Sequence, residues 1–272
     1  MAQQLNKVLI LFKFLYKMMI DDVLRRLKEG KISLEEAKRE IKLVEFEKLK
    51  NATLDIKREH RVAKPEAILA EFKSVEDVLE ISKKVAEKNG IAIITRLKDE
   101  HIPALKREKN FEIEINERAR CAIMRRKGFR YKKRGAIGVI TAGTADIPVA
   151  EEAIMTLRAL GHEIIYKYDV GIAGIQRIFE PIEEMIKKDV KAIIVVAGME
   201  GALPSIVSSL VDVPVIAVPT SVGYGVGEGG YAALYSMLVN CSSGVGVVNI
   251  DNGFGAAVLA SLIEGVSHKC YF

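Results

Sequence analysis

AIIVVAGMEGALPSIVSSLVDVPVIAVPTSVGYGVGEGG, residues 192–230, reads as strand, loop, helix, strand, loop. AIIVVA (192–197) and VPVIAVP (213–219) are near-continuous apolar runs of strand length, rich in valine and isoleucine. Between them, Pro204 stands in the first turn of a helix reaching Leu210, where its missing N–H leaves no bond unmade. Strands that are apolar on both faces belong to a sheet covered on both sides, and a helical crossover between them makes them parallel.

The same unit repeats outward. AIGVITA (136–142) predicts a strand, followed by a helix over 147–160 that Gly161 ends; EIIYKYDV (163–170) predicts the next strand, with a helix over 175–188. Downstream come a helix over 228–240, a strand at VGVVNI (245–250) and a helix over 254–264. Five such strands predict a three-layer αβα domain over 131–272, flavodoxin-like, with a parallel sheet of five strands or slightly more. Every glycine-rich or polar cluster then follows a strand's carboxyl end: TAGTAD, DVGIAG, AGMEGALP, PTSVGYGVGEGG and NIDNGFG. Open α/β sheets bind ligands at that edge. The last two loops belong to a stretch, 219–255, with nine glycines in 37 residues and neither lysine nor arginine.

Charge divides the chain. Residues 1–134 hold 34 basic and 22 acidic residues, a net of +12; residues 135–272 hold 7 and 14, a net of −7, with 18 of the 21 glycines. A shift in both charge and glycine marks a domain boundary. The basic part predicts a smaller α+β domain over 1–130, its first 50 residues helical and peripheral. Ser33 with Glu36 forms a capping box for a helix reaching about Leu49, and Ser74 with Asp77 starts another that ends at Gly90. IAIITRL (91–97) and FEIEI (111–115) predict strands. Near the amino terminus, Leu9, Phe12, Leu15, Met19 and Val23 recur at helical spacing, while Lys7, Lys13 and Lys17 interrupt a run too short to cross a bilayer. The expectation is a packed amphipathic helix, no membrane span and no cleaved leader.

Three cysteines without regular spacing and four scattered histidines predict neither a disulfide framework nor a zinc site, and fit a cytoplasmic protein. RRKGFRYKKRG (125–135) is the strongest basic run. It fits a linker better than a nucleic-acid contact, since no aromatic stacking platform accompanies it. GVGEGG (225–230) matches the dinucleotide fingerprint formally, with Asp251 about 20 residues on. Six residues separate it from the strand, however, so no nicotinamide redox cofactor is expected.

The motifs carry a resemblance. GVITAGTADIPVAEEA (138–153), residues 196–230 and NIDNGFGAAVLASLI (249–263), with DIKREHRVAKPEAI (55–68) and AIITRL (92–97), resemble the LarB family of nickel-pincer nucleotide biosynthesis. The carboxyl half is also similar to the aminoimidazole ribonucleotide carboxylases, the PurE-like enzymes. Their loops, approximately GSxSD and AGxAAHLPG, correspond here to GTAD (143–146) and AGMEGALPS (197–205), with Ala202 in place of their histidine. The resemblance implies carboxylation of the pyridinium C5 of nicotinic acid adenine dinucleotide by CO2 or bicarbonate. It also implies phosphoanhydride hydrolysis, giving pyridinium-3,5-biscarboxylate mononucleotide and AMP, in a homo-octamer. The alternatives are a purine-pathway carboxylase or mutase and a non-catalytic nucleotide-binding protein.

An electron-poor pyridinium attacks CO2 only after a nucleophile has added to the ring, and the resemblance implies a cysteine at position 241. Cys241 is expected beside the ligand edge. A helix carboxyl end disfavours its thiolate, so the cationic ring is expected to activate it on binding. Glu200 is the carboxylate of the AGMEG turn, a base at C5, an electrostatic partner of the ring, or a solvated loop residue. Gly143, Thr144 and Asp146 follow the first strand, where amides bind phosphate; Asp146 caps its helix or holds a Mg2+ ion. Gly198, Met199, Ser221, Gly223 and Gly225 line the glycine-rich wall. Asp251 and Asn252 bind ribose or build a turn. The diphosphate needs a base from elsewhere: Arg96, Arg177, the 125–134 run or a neighbouring subunit.

Overall fold

A computed structural model describes residues 21–41, 47–48, 53–54 and 67–267. The chain forms two compact units, 1–64 and Pro65–Phe272. In the first, a helical segment at 21–28 buries Val23, and a helix spans Leu34–Ile41. Its capping box is reciprocal: the Ser33 N–H donates to Glu36 at 2.8 Å, and the Glu36 N–H donates to Ser33 Oγ at 3.2 Å. The helix predicted to Leu49 does not continue that far, because Glu47–Lys48 pairs antiparallel with Thr53–Leu54 and spends its backbone groups across a ladder. The remaining apolar positions of the predicted amino-terminal helix lie outside the described residues.

The second unit opens with strand β1 (Ala67–Leu69), helix α1 (Val75–Asn89), strand β2 (Ile91–Thr95), helix α2 (His101–Arg107) and strands β3 (Phe111–Asn116) and β4 (Cys121–Arg126). Ser74 Oγ accepts from the Asp77 N–H, and Gly90 ends α1 at φ 83°, as the sequence predicts. The four strands form one sheet in the order β1-β2-β4-β3, with only β1 and β2 parallel. β4 is unexpected from local pattern: its Arg125 and Arg126 look like the head of the basic run, yet Cys121–Met124 are buried.

Residues 127–133 lead into strand β5 (Arg134–Thr141). There follow helix α3 (Ile147–Ala159), strand β6 (His162–Lys167), helix α4 (Phe179–Lys187), strand β7 (Ile193–Ala197), helix α5 (Leu203–Ser208), strand β8 (Val215–Pro219), helix α6 (Tyr231–Leu238), strand β9 (Val245–Val247) and helix α7 (Gly253–Ser267). These five strands are all parallel, in the order β9-β8-β7-β5-β6. Alternate residues face opposite ways: Ile193, Val195 and Ala197 pack beneath α4, α5 and α6, whereas Ile194 and Val196 pack beneath α3 and α7. Each such residue is fully buried, and cutting Ile193 or Ile194 to alanine costs about 2–5 kcal/mol, so the sheet is a rigid platform.

Two predicted helix starts move. The helix predicted from Glu228 begins at Tyr231, because Gly229 and Gly230 take left-handed φ of 74° and 80°. That predicted from Ile175 begins at Phe179, after a kink at Gly174. The smaller sheet packs against α3: Ile93, Cys121 and Ile123 share one cluster with Met155 and Ala159.

Candidate functional site

A parallel sheet sends every strand's carboxyl end to one edge. Here α3 leaves β5 toward one face, while α5 leaves β7 toward the other. The order therefore reverses between β5 and β7, the switch point at which such sheets hold ligands. Of six side-chain-bearing residues with left-handed backbone among the described residues, four follow strands, Arg96 after β2 (φ 52°), Asp169 after β6 (58°), Met199 after β7 (52°) and Asp251 after β9 (54°), and two, Arg120 (51°) and Asp189 (52°), precede strands. Left-handed backbone costs a side-chain-bearing residue about 1–2 kcal/mol, and such residues cluster at functional sites.

Asp146 ties these loops together. It is buried; its Oδ2 accepts the Gly143 N–H at 2.8 Å and its Oδ1 accepts the Thr220 hydroxyl at 2.7 Å. Burial raises its pKa above the usual carboxylate range, and the bonds from Thr220, Gly143 and the Gly198 N–H partly offset this. Gly198 has no room for a side chain, since a Cβ there would lie 2.4 Å from the Val222 carbonyl and 2.7 Å from Thr220 Oγ1. Both Asp146 oxygens are thus engaged, and no group of three or more His, Cys, Asp or Glu able to hold a metal occurs among the described residues.

Asp251 is the second staple. Its N–H donates to the Pro219 carbonyl at 2.9 Å, and its Oδ1 accepts the Ser221 N–H at 2.8 Å. Asn252 Oδ1 accepts the Gly255 N–H at 2.8 Å, inside the first turn of α7. The Asn252 side chain therefore builds a turn, and that of Asp251 ties two loops together. Glu152, which the sequence did not single out, accepts the Phe254 N–H at 3.1 Å; burial pushes its carboxyl above the usual range. Exposed on the crevice wall are Thr144, Met199, Glu200, Ser221 and Gly225, while Gly223 is packed so that a Cβ would meet the Gly227 carbonyl at 2.2 Å. The Met199 N–H donates to the Val222 carbonyl at 3.2 Å, which joins the AGMEG turn to the glycine-rich loop.

Cys241 is elsewhere. It follows α6 and precedes β9, and the adjoining Gly244 carbonyl accepts from the N–H of Val215, the first residue of β8. Every residue between a crossover helix and its next strand lies at the sheet's amino edge. Cys241 is exposed there, below Glu200 by about the length of α6, eight residues or ~12 Å. The expectation that Cys241 lies beside the ligand edge of its own chain is corrected. Cys121 is buried, its thiol pushed up by burial and by Glu152.

The basic candidates also separate. Arg134 begins β5 at the amino edge and donates to Ser261 at 2.7 Å, and Arg125 bonds Tyr131 at 2.9 Å, so neither reaches the crevice. Arg177 is paired with Asp169 at 2.8 Å. Arg96 reaches the edge, its Nη2 3.3 Å from the Asp251 carbonyl. So does Arg118, whose Nη2 donates to the Thr144 carbonyl at 3.1 Å; it lies in a turn with no motif that would have drawn notice. Among the described residues no helix is long and apolar enough to cross a membrane.

Two family models match the chain: AIR carboxylase over residues 136–271, and the LarB/PurE-like N-terminal domain over 46–127. The "Uncharacterized protein MJ0165" of Methanocaldococcus jannaschii is 48% identical over 255 residues, covering 91% of this chain and 98% of that one. The N5-carboxyaminoimidazole ribonucleotide mutase of the same organism is 34% identical over 125 residues, 46% of this chain and 75% of its own. A probable mutase of that kind from Methanothermobacter thermautotrophicus is 30% identical over 137 residues, 47% of this chain and 37% of its own.

Proposed function

Because the chain belongs to the LarB family, we propose that this carboxylase-type protein carboxylates the pyridinium of nicotinic acid adenine dinucleotide at C5 and hydrolyses its phosphoanhydride. The observation that carries the reading is the switch point at the sheet's carboxyl edge, flanked by a stretch from Ala192 to Val266 that contains no lysine or arginine and so suits a cationic ring. The small sheet argues against a purine mutase, because the mutase relatives match less than half of the chain. Ala202, where the purine carboxylases' loop has histidine, argues the same way.

The chemistry needs a nucleophile and a base. Cys241 thiolate adds to the ring, giving a neutral dihydropyridine whose C5 is enamine-like. That carbon bonds to CO2, Glu200 takes the C5 proton, and expulsion of the thiolate restores the aromatic cation. Ring hydrogen and CO2 thus become ring carboxylate and a proton. Separately, water attacks phosphorus, the P–O–P bond breaks and AMP leaves. Cys241 and Glu200 of one chain stand at opposite edges of the sheet, so the thiol comes from a second copy. The exposed apolar face of α6, carrying Tyr231, Tyr235 and Leu238 and followed by Val239, suits such a contact.

The test is incubation with nicotinic acid adenine dinucleotide and bicarbonate, read by mass spectrometry. A product one CO2 heavier than nicotinic acid mononucleotide, with AMP released, is expected. Binding without either product, or turnover of aminoimidazole ribonucleotide instead, would overturn the reading.

A further inference from the structure

A stretch from 192 to 266 without lysine or arginine suits a pyridinium but by itself leaves a diphosphate unneutralised. Arg177, the one arginine on the loop after β6, is already paired with Asp169. Two arginines from the smaller sheet reach the carboxyl edge of the larger one. Arg96 leaves β2 in left-handed backbone and touches the Asp251 carbonyl at 3.3 Å; its carboxylate neighbour Glu71 stands 4.0 Å away. Arg118, in the turn between β3 and β4, is exposed and donates to the Thr144 carbonyl; no ion-pair partner for it occurs among the described residues. A guanidinium has five N–H donors, and one carbonyl leaves most of the fork open.

We propose that Arg96 and Arg118 form a two-armed clamp for the diphosphate of a dinucleotide or nucleoside diphosphate. Their anchors are the ends of one hydrogen-bonded ridge. Thr144 lies two residues from Asp146, which holds Thr220; the next residue, Ser221, is held by Asp251, whose carbonyl holds Arg96. The anchoring loops, after β5 and β9, are three strand spacings apart, about 14 Å, a gap that two long side chains reaching from opposite ends can close on an anion lying between them. Arginine forks match phosphate oxygens bidentately, which lysine does not. Neither guanidinium is buried: the Arg96 side chain is 45% exposed and keeps only a long, 4.0 Å ion pair to Glu71, and Arg118 is exposed with no ion-pair partner among the described residues. The smaller sheet thereby supplies the charge that the larger domain's sequence lacks.

The inference rests on the dinucleotide reading for its natural ligand, but the test does not. Titration calorimetry of ADP and inorganic pyrophosphate is run on wild-type protein and on Arg96→Ala, Arg118→Ala and Arg118→Lys, at low and high salt. Both alanine variants are expected to bind ADP at least tenfold more weakly at low salt. Arg118→Lys should recover part of the loss, and the wild-type affinity should fall most with added salt. ADP binding that is absent in the wild type, or equal in wild type and well-folded alanine variants, would overturn the clamp. An arginine-dependent ADP affinity in a protein that fails to carboxylate nicotinic acid adenine dinucleotide would instead sink the carboxylase reading and leave the clamp standing.

Discussion

The two edges of the parallel sheet are built to opposite specifications. At the amino edge polar groups are closed off: His162 lies between the Gly135 carbonyl at 3.0 Å and Ser261 at 2.8 Å, and Glu264 accepts the Gly135 N–H at 2.9 Å. At the carboxyl edge the backbone is strained at Met199 and Asp251, Asp146 is buried with a raised pKa, and Thr144, Glu200 and Ser221 remain open to solvent. The difference teaches that one edge closes its polar groups into hydrogen bonds while the other leaves several of them open to solvent. Cys241 complicates this division, since the proposed nucleophile hangs from the amino edge.

The sharpest attempt to break the comparison is therefore made at Cys241. Cys241→Ala should lower carboxylation by at least about 10³-fold without unfolding the protein, in keeping with loss of a nucleophile. Co-expressed with Glu200→Gln, it should regain about a quarter of wild-type activity, because a site shared across a symmetric interface draws each residue from a different copy. No regain in verified mixed oligomers would return both residues to one chain.

Next in size is Asp146→Ala. It strands the Gly143 and Gly198 N–H groups and the Thr220 hydroxyl, and should cost about 3 kcal/mol in urea unfolding together with the loss of ligand binding. Unchanged stability would mean that the ridge is not held by this carboxylate.

The smallest effect belongs to the amino edge. Burial lowers the His162 pKa. As pH falls below the ordinary histidine value of about 6.5, the unfolded chain gains a proton that the native imidazole resists, so stability declines. His162→Gln should remove this part of the decline while leaving kcat unchanged at neutral pH. The same acid slope in the variant would assign it to other groups.

Much of this was legible in the residues. The apolar runs at 136–142, 192–197 and 213–219 are strands because continuous β-branched residues suit a sheet buried on both faces. Ser33, Ser74 and Gly90 cap helices because capping is a contact within a few residues. The alternation of strand and helix also places each polar loop at one edge. By the same rule Cys241 belongs at the other edge, and nearness in sequence to NIDNG is a misleading guide to nearness in space.

Tertiary structure alone decided which distant groups meet. Asp146 and Thr220 are 74 residues apart, Arg96 and Asp251 155 apart, and Arg118 and Thr144 are joined across two sheets. No periodicity encodes such pairs. They exist because the smaller sheet packs on α3, which carries two of its arginines over the edge of the larger sheet. Local propensity acts over a few residues and was readable; the charge balance of the crevice depends on closure of the whole chain and was not.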